Sequence, residues 1–269
     1  MSVSDKKATS PFIERVVRKV KKKINQAGKS RKCYICGSTF NHFSKFRGGW
    51  AAAPDLFREL DLIGSDLDNY GCYVCGAKDR ERHLFMFFDK LNVWPKMKGA
   101  SIIHFAPELN LSNKIKQQSP LKYVKADLYP KNNTIEKIDA TAIPYPDATF
   151  DFVIFNHILE HIPDYHKALK ELFRVLKPNG IAILQTPYST ILENNFEDRG
   201  INTDRLRTIV YGQEDHVRIF SEKQFLKSIK DTGFKLDIVK HNDYFNNQDA
   251  FYYGVNKKED LIRAIKPAV

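Results

Sequence analysis

At 269 residues the chain is long enough for one large domain, or a medium domain with a small attachment, and to bury a sizeable core. It contains no run of about 18 apolar residues, which excludes a membrane-spanning helix. The formal charge of +11 suggests a nucleic-acid binder until it is divided: residues 1 to 32 hold eleven Lys/Arg against Asp5 and Glu14, a net +9, which leaves only +2 for the rest.

The chain opens with "MSVSDKKATS" and a basic segment in place of an apolar leader, so a cytoplasmic protein is expected. Within residues 1–30, "PFIERVVRKVKKKINQ" sets Phe12, Ile13, Val16, Val17, Val20 and Ile24 at helical spacing, with the basic side chains largely on the other faces. Such a helix, over residues 11–25, suits peripheral contact with the inner face of an anionic membrane; the alternative is a solvated helix packed on its own protein.

All four cysteines follow, as "CYICG" (Cys33, Cys36) and "CYVCG" (Cys72, Cys75), with 35 residues between the pairs. Two Cys-x-x-Cys-Gly turns are the knuckles of a structural zinc site, because four thiolates close a tetrahedron around one metal. Disulfides are disfavoured in a cytoplasmic protein, and a redox pair lacks its βαβ setting. A zinc-binding module over 31–97 is therefore expected. It holds an inserted loop between the pairs and ends in a helix, "AKDRERHLFMFFDKL", with Arg80, Arg82 and His83 on its first turns.

From residue 98 to 258 short apolar runs alternate with helical stretches. The runs fall at 101–106, 122–127, 150–156, 181–186, 234–239 and 249–255, and the helices near 109–117, 163–176 and 221–232. This is the rhythm of an α/β doubly wound sheet, whose ligands sit beyond the carboxyl ends of the strands. Residues 259–269 read as a tail. The first strand runs into "HFAPE" (His104, Phe105, Ala106, Glu108); the second ends at Asp127 before Leu128, where a carboxylate can accept both hydroxyls of a ribose; Asp139, before Ala140, can reach an adenine amine. Taken one at a time, these acids read as loop caps.

The segment "DATAIPYPDATFDFVIFNHILEHIPDYHKALKELFRVLKPNG" resembles the class I S-adenosylmethionine-dependent methyltransferases, in particular the methyltransferase type 11 kind, with its "IPYPDATFD", "LEH" and "RVLKPNG". The resemblance covers residues 100 to 256. It implies a Rossmann-like, seven-stranded sheet, S-adenosylmethionine as methyl donor, and donor contacts from the strand ends, Asn156 and His157 included. The family ends its first strand in an acid and a glycine-rich turn. Here His104 stands at the acidic position and Ala106 and Glu108 replace glycines. A donor without phosphates needs no nest of amides, only a small residue such as Ala106 for close approach, and Glu108 can face the donor's ammonium.

"HILEH" also fits the H-x-x-E-H pattern of inverted zinc proteases, but it follows a buried strand at the place of the family's L-E-H. His161 is then expected near the acceptor. "YGQEDHVRIF" brings Gln213, Asp215, His216 and Arg218 together as an acceptor-binding lid, the alternative being local capping; Tyr188 of "QTPY" is a further acceptor contact. His216 or His161 is the candidate general base, with Asp215 to orient it. "QTPY" resembles the box of amino-methylating nucleic-acid enzymes but follows the fifth strand, which argues against base methylation. With its paired knuckles, "HFAPE" and "GQEDHVRIF", the chain is similar to a bacterial subgroup associated with surface-polysaccharide gene clusters. The resemblance implies O-methylation of a sugar or glycan-biosynthesis intermediate. The alternatives are an RNA methyltransferase gripping RNA with the zinc module and basic tail, and a binding module on a methyltransferase fold that no longer takes the donor.

Overall fold

The computed structural model describes residues 28–268. The basic helix expected over residues 11–25 lies outside them. Among the described residues no helix is long and apolar enough to cross a membrane.

Seven strands make one sheet: β1 Ser101–Phe105, β2 Lys122–Asp127, β3 Glu136–Lys137, β4 Phe150–Ile154, β5 Leu176–Ile183, β6 Lys235–Val239 and β7 Leu261–Ile265. Their spatial order is β3-β2-β1-β4-β5-β7-β6. The pairs from β3 to β5 are parallel, while β7 runs antiparallel to both β5 and β6. The expected doubly wound α/β fold is therefore present, and the order turns back at β1 and β4, the crevice where such sheets bind ligands.

Among the described residues seven α-helices accompany it: α1 Asp55–Glu59, α2 Asp79–Lys90, α3 Leu109–Gln117, α4 Tyr165–Val175, α5 Asp204–Tyr211, α6 Glu222–Asp231 and α7 Asn247–Tyr253. Successive strand residues face opposite ways, so β1 sends Ile103 and Phe105 into one core and Ile102 into the other. Leu169 and Leu172 of α4 and Phe225 and Ile229 of α6 close the first core. Leu84, Phe85 and Phe88 of α2, with Trp94 and Met97, close the second against Ile102, Phe152 and Ile154.

Two expectations are corrected by this packing. Residues 247–253 form a helix where a strand was expected at 249–255, because Asn246 and Asp249 make a reciprocal capping box and Gly254 ends the turn at positive φ. The tail expected at 259–269 carries β7, an interior strand whose Ile262 and Ala264 are buried. Leu84, Phe85, Phe88, Trp94 and Met97, from the end of the segment assigned to the cysteine module, pack in one core with the sheet.

The cysteine-bearing segment is tied to that domain by Arg82. Its side chain is fully buried, donates to the carbonyls of Asn69, Ala77, Tyr253 and Gly254, and stacks 3.9 Å from the ring centre of Phe43.

Candidate functional site

The two knuckles are built alike. The Gly37 and Cys33 amides donate to Cys33 and Ser38 carbonyls, and the Gly76 and Cys72 amides to Cys72 and Ala77 carbonyls; Gly37 and Gly76 both have φ of +72°, a region open to glycine. The turns bring all four sulfurs within 4.8 Å of one another, with Cys33 Sγ to Cys75 Sγ and Cys36 Sγ to Cys72 Sγ both 3.7 Å. A tetrahedral zinc with bonds of about 2.3 Å needs an S···S edge of about 3.8 Å. The donor set therefore fits zinc in number, chemistry and spacing. The thiol of Cys72 is held low, at about 5, first by its contact with Cys33 and then by the amides of Cys75 and Val74.

At the strand tips, His104 lies fully buried at the end of β1. One ring nitrogen meets Tyr123 Oη at 2.9 Å, and the other meets Glu108 Oε2 at 2.8 Å. Burial by itself would raise the Glu108 pKa, but the hydrogen bond and charge of His104 reverse it, and the carboxyl titrates below its usual range. Ala106 has a φ of +44°, so the chain keeps a glycine-like backbone there with an alanine in place. Asp127 and Asp139 stand beyond β2 and β3, capping the amides of Tyr129 and Thr141 through Oδ1. Leu128 is exposed, Phe105 and Ala140 are buried, and Asn156 is buried past β4 with Oδ1 unpartnered.

His157, also at positive φ (+52°), lies buried between two carboxylates, Glu160 at 3.5 Å and Glu259 at 3.6 Å. Burial and Arg80 work against its proton, but the two acids outweigh them and raise its pKa, while both carboxyls are pushed far below their ordinary range. Leu159–His161 is a short 3-10 turn, so His157 and His161 do not share a helical face as a protease zinc pair must.

A cleft of about 780 Å³ opens past β4, lined by His157 and Glu160, while His104, Ala106, Glu108, Asp127, Asp139 and Asn156 are not among its lining residues. Trp50, Phe57, Tyr70, His157, His161 and His216 are among its lining residues, with Tyr211 and Gln213. Gly212 ends α5 at positive φ with its backbone against Phe57, where a Cβ would come within 2.4 Å of the ring. The half-buried His161 pairs through Nδ1 with Oδ2 of the exposed Asp215 at 3.2 Å. His216 is buried, accepts from Gln213 at 2.9 Å, and is pushed down to about 4 by that burial, so it is neutral at neutral pH.

Two residues expected at the acceptor are occupied elsewhere. Arg218 is buried and binds Glu197 and the carbonyls of Leu159, Ile162 and Pro163, so its guanidinium fastens the 159–163 turn although it borders the cleft. Tyr188 is packed in the main core beside Phe220 and is not among the cleft's lining residues, because its short strand is paired on both sides. Conversely, Lys78 and Arg80 line the cleft with Trp50 and Tyr70. The basic start of α2 was legible in the sequence, but its destination depends on how the cysteine turns fold.

The order β3-β2-β1-β4-β5-β7-β6 with β7 antiparallel is the sheet of the class I S-adenosylmethionine-dependent methyltransferases. The family model described as "Methyltransferase domain" matches residues 100–239, more than half the chain, and the chain belongs to that family. A demethylmenaquinone methyltransferase of Lactobacillus johnsonii is 27% identical over 151 residues, covering 51% of this chain and 60% of the relative. One from Staphylococcus carnosus is 50% identical over 54 residues, 20% of this chain and 22% of the relative. The chain thus spans less than two thirds of the length of these relatives. An S-adenosylmethionine-dependent methyltransferase from Mesorhizobium loti aligns over 67% of this chain and 98% of its own, with 14% identity and a TM-score of 0.49.

Proposed function

We propose that the protein transfers the methyl group of S-adenosylmethionine to a hydroxyl of a sugar or glycan-biosynthesis intermediate seated in the cleft. The observation that carries this reading is the opening of the cleft past β4, with His161 on its lining and the exposed Asp215 paired to that ring. Asp127 and Asp139, each with one carboxylate oxygen uncommitted, are suited to the donor's ribose and adenine; Ala106 lets the methionine end approach, and Glu108 faces its ammonium. The cysteines Cys33, Cys36, Cys72 and Cys75 hold zinc as a structural metal, which fixes the wall carrying Tyr70 and Lys78.

Methyl transfer is an in-line displacement at a sulfonium carbon, so the enzyme's main work is to align the partners and exclude water. An oxygen acceptor must also lose its proton. His161 is the better base: Asp215 orients its ring, whereas His216 is buried and holds a proton poorly. The aromatic lining of Trp50, Phe57 and Tyr70 suits the apolar face of a sugar ring. It suits a flat aromatic acceptor equally, and the quinone methyltransferase names of the relatives make that the second reading.

Calorimetry with S-adenosylhomocysteine tests the donor site: micromolar binding is expected, weakened by Asp127→Ala. Label transfer from methyl-labelled donor to panels of nucleotide sugars and of quinols then separates the acceptors. His161→Ala is expected to slow turnover by about 10²–10⁴ while leaving donor-product affinity intact. Transfer to a quinol alone would refute the sugar reading.

A further inference from the structure

We infer that Arg80, with Lys78 beside it, receives the α-carboxylate of the methyl donor, so that the cysteine-bearing segment supplies part of the donor site. This rests on reading the β1 and β4 tips as the place of the donor's methionine end.

Both cations line the cleft. The Nε of Arg80 is withdrawn from solvent and has no hydrogen-bond partner, and neither cation enters an ion pair among the described residues. Lys78 Nζ stands 6.0 Å from the ring centre of Tyr70. Arg80 also borders a water-sized cavity with Asn156, His157 and Glu259, which puts the residue beside the segment that follows β4. There Asn156 Oδ1 is unpartnered too. Burying a guanidinium donor without an acceptor costs free energy, and the planar fork matches a carboxylate through two parallel hydrogen bonds.

Three carboxylates act on the Arg80 charge, those of Glu108, Asp79 and Glu160. Glu108, at the β1 tip, is a carboxylate with one oxygen committed to His104. An amino-acid end carrying both ammonium and carboxylate would set its ammonium toward Glu108 and its carboxylate toward Arg80. Lys78 and Arg80 follow Cys75 by three and five residues, and the Cys72 amide closes the knuckle on the Ala77 carbonyl immediately before them. The four-sulfur cluster thus determines where the two cations stand.

A phosphate on the acceptor is the other source of the same chemistry, and a comparison of ligands separates the two. The full chain, with Arg80→Met, Arg80→Lys and Lys78→Met variants, is titrated with S-adenosylhomocysteine, with 5′-methylthioadenosine, which lacks the amino-acid end, and with pyrophosphate. Arg80→Met is expected to weaken S-adenosylhomocysteine at least about ten-fold, leave methylthioadenosine unchanged, and be partly rescued by Arg80→Lys. Equal weakening of both nucleosides would overturn the assignment as a disturbance of structure. Unchanged S-adenosylhomocysteine affinity, with pyrophosphate binding lost, would overturn it in favour of an anionic acceptor. Absence of nucleoside binding by the parent chain would overturn the donor-site reading, and the assignment with it.

Discussion

Ala106 and His157 carry strained backbones at the strand tips, at φ of +44° and +52°, as does Arg47 on the cleft lining at +45°. Left-handed backbone at a residue with a Cβ costs about 1–3 kcal/mol, and such strain clusters where ligands are held. Ala106→Gly is expected to stabilise the fold by about 1 kcal/mol, read as a rise of about 2–4 °C in Tm; no rise would mean that the turn is unstrained. His157 makes a prediction in pH. Its folded pKa lies above the unfolded value of about 6.5, so its contribution is complete below that value and is lost as pH rises through the folded value. Glu160 and Glu259 have depressed pKa values, and their contributions fade only in strong acid. Stability should therefore fall as pH rises above about 6.5. In His157→Asn, which tolerates positive φ, that fall should vanish on a baseline lowered by the uncompensated acids. Melting curves from pH 5 to 9 decide, and a parent curve flat above pH 6.5 would contradict the charged imidazole.

Elements whose pattern is local were legible in the sequence. The strands at 101–105, 122–127 and 150–154 and the helices at 109–117, 165–175 and 222–231 stand where periodicity put them. Residues 249–255 misled because "AFYYGV" is as aromatic as a strand, and only the capping of Asn246 by Asp249 decides for a helix. At the site, the cysteine spacing and the strand-end acids were readable. The commitment of Arg218 to backbone carbonyls was not, since it depends on a turn 56 to 59 residues earlier in the chain. The two knuckles carry their own prediction: protein purified without added metal should hold about one zinc per chain, with its thiols protected from modification until a chelator is added. Freely reacting thiols and well under one zinc would refute the site.

Across the whole molecule the cysteine-bearing segment and the sheet domain share a core. Leu84, Phe85, Phe88 and Trp94 cover the sheet face formed by Ile102, Phe152 and Ile154, and Arg82 binds carbonyls on both sides. A chain starting at residue 98 should therefore expose that face and aggregate, while one starting at residue 28 should stay folded; a monodisperse, cooperatively melting 98–269 fragment would contradict the shared core. The order of the sheet also bears on biosynthesis. β7 is the last of the seven strands to be made, yet it sits between β5 and β6. Until residues 261–265 have left the ribosome, β5 keeps a bare backbone edge and β6 has nothing to pair with, so the sheet cannot close before then. The nascent chain is open to edge-to-edge association until then, and chaperone protection matters most in that interval.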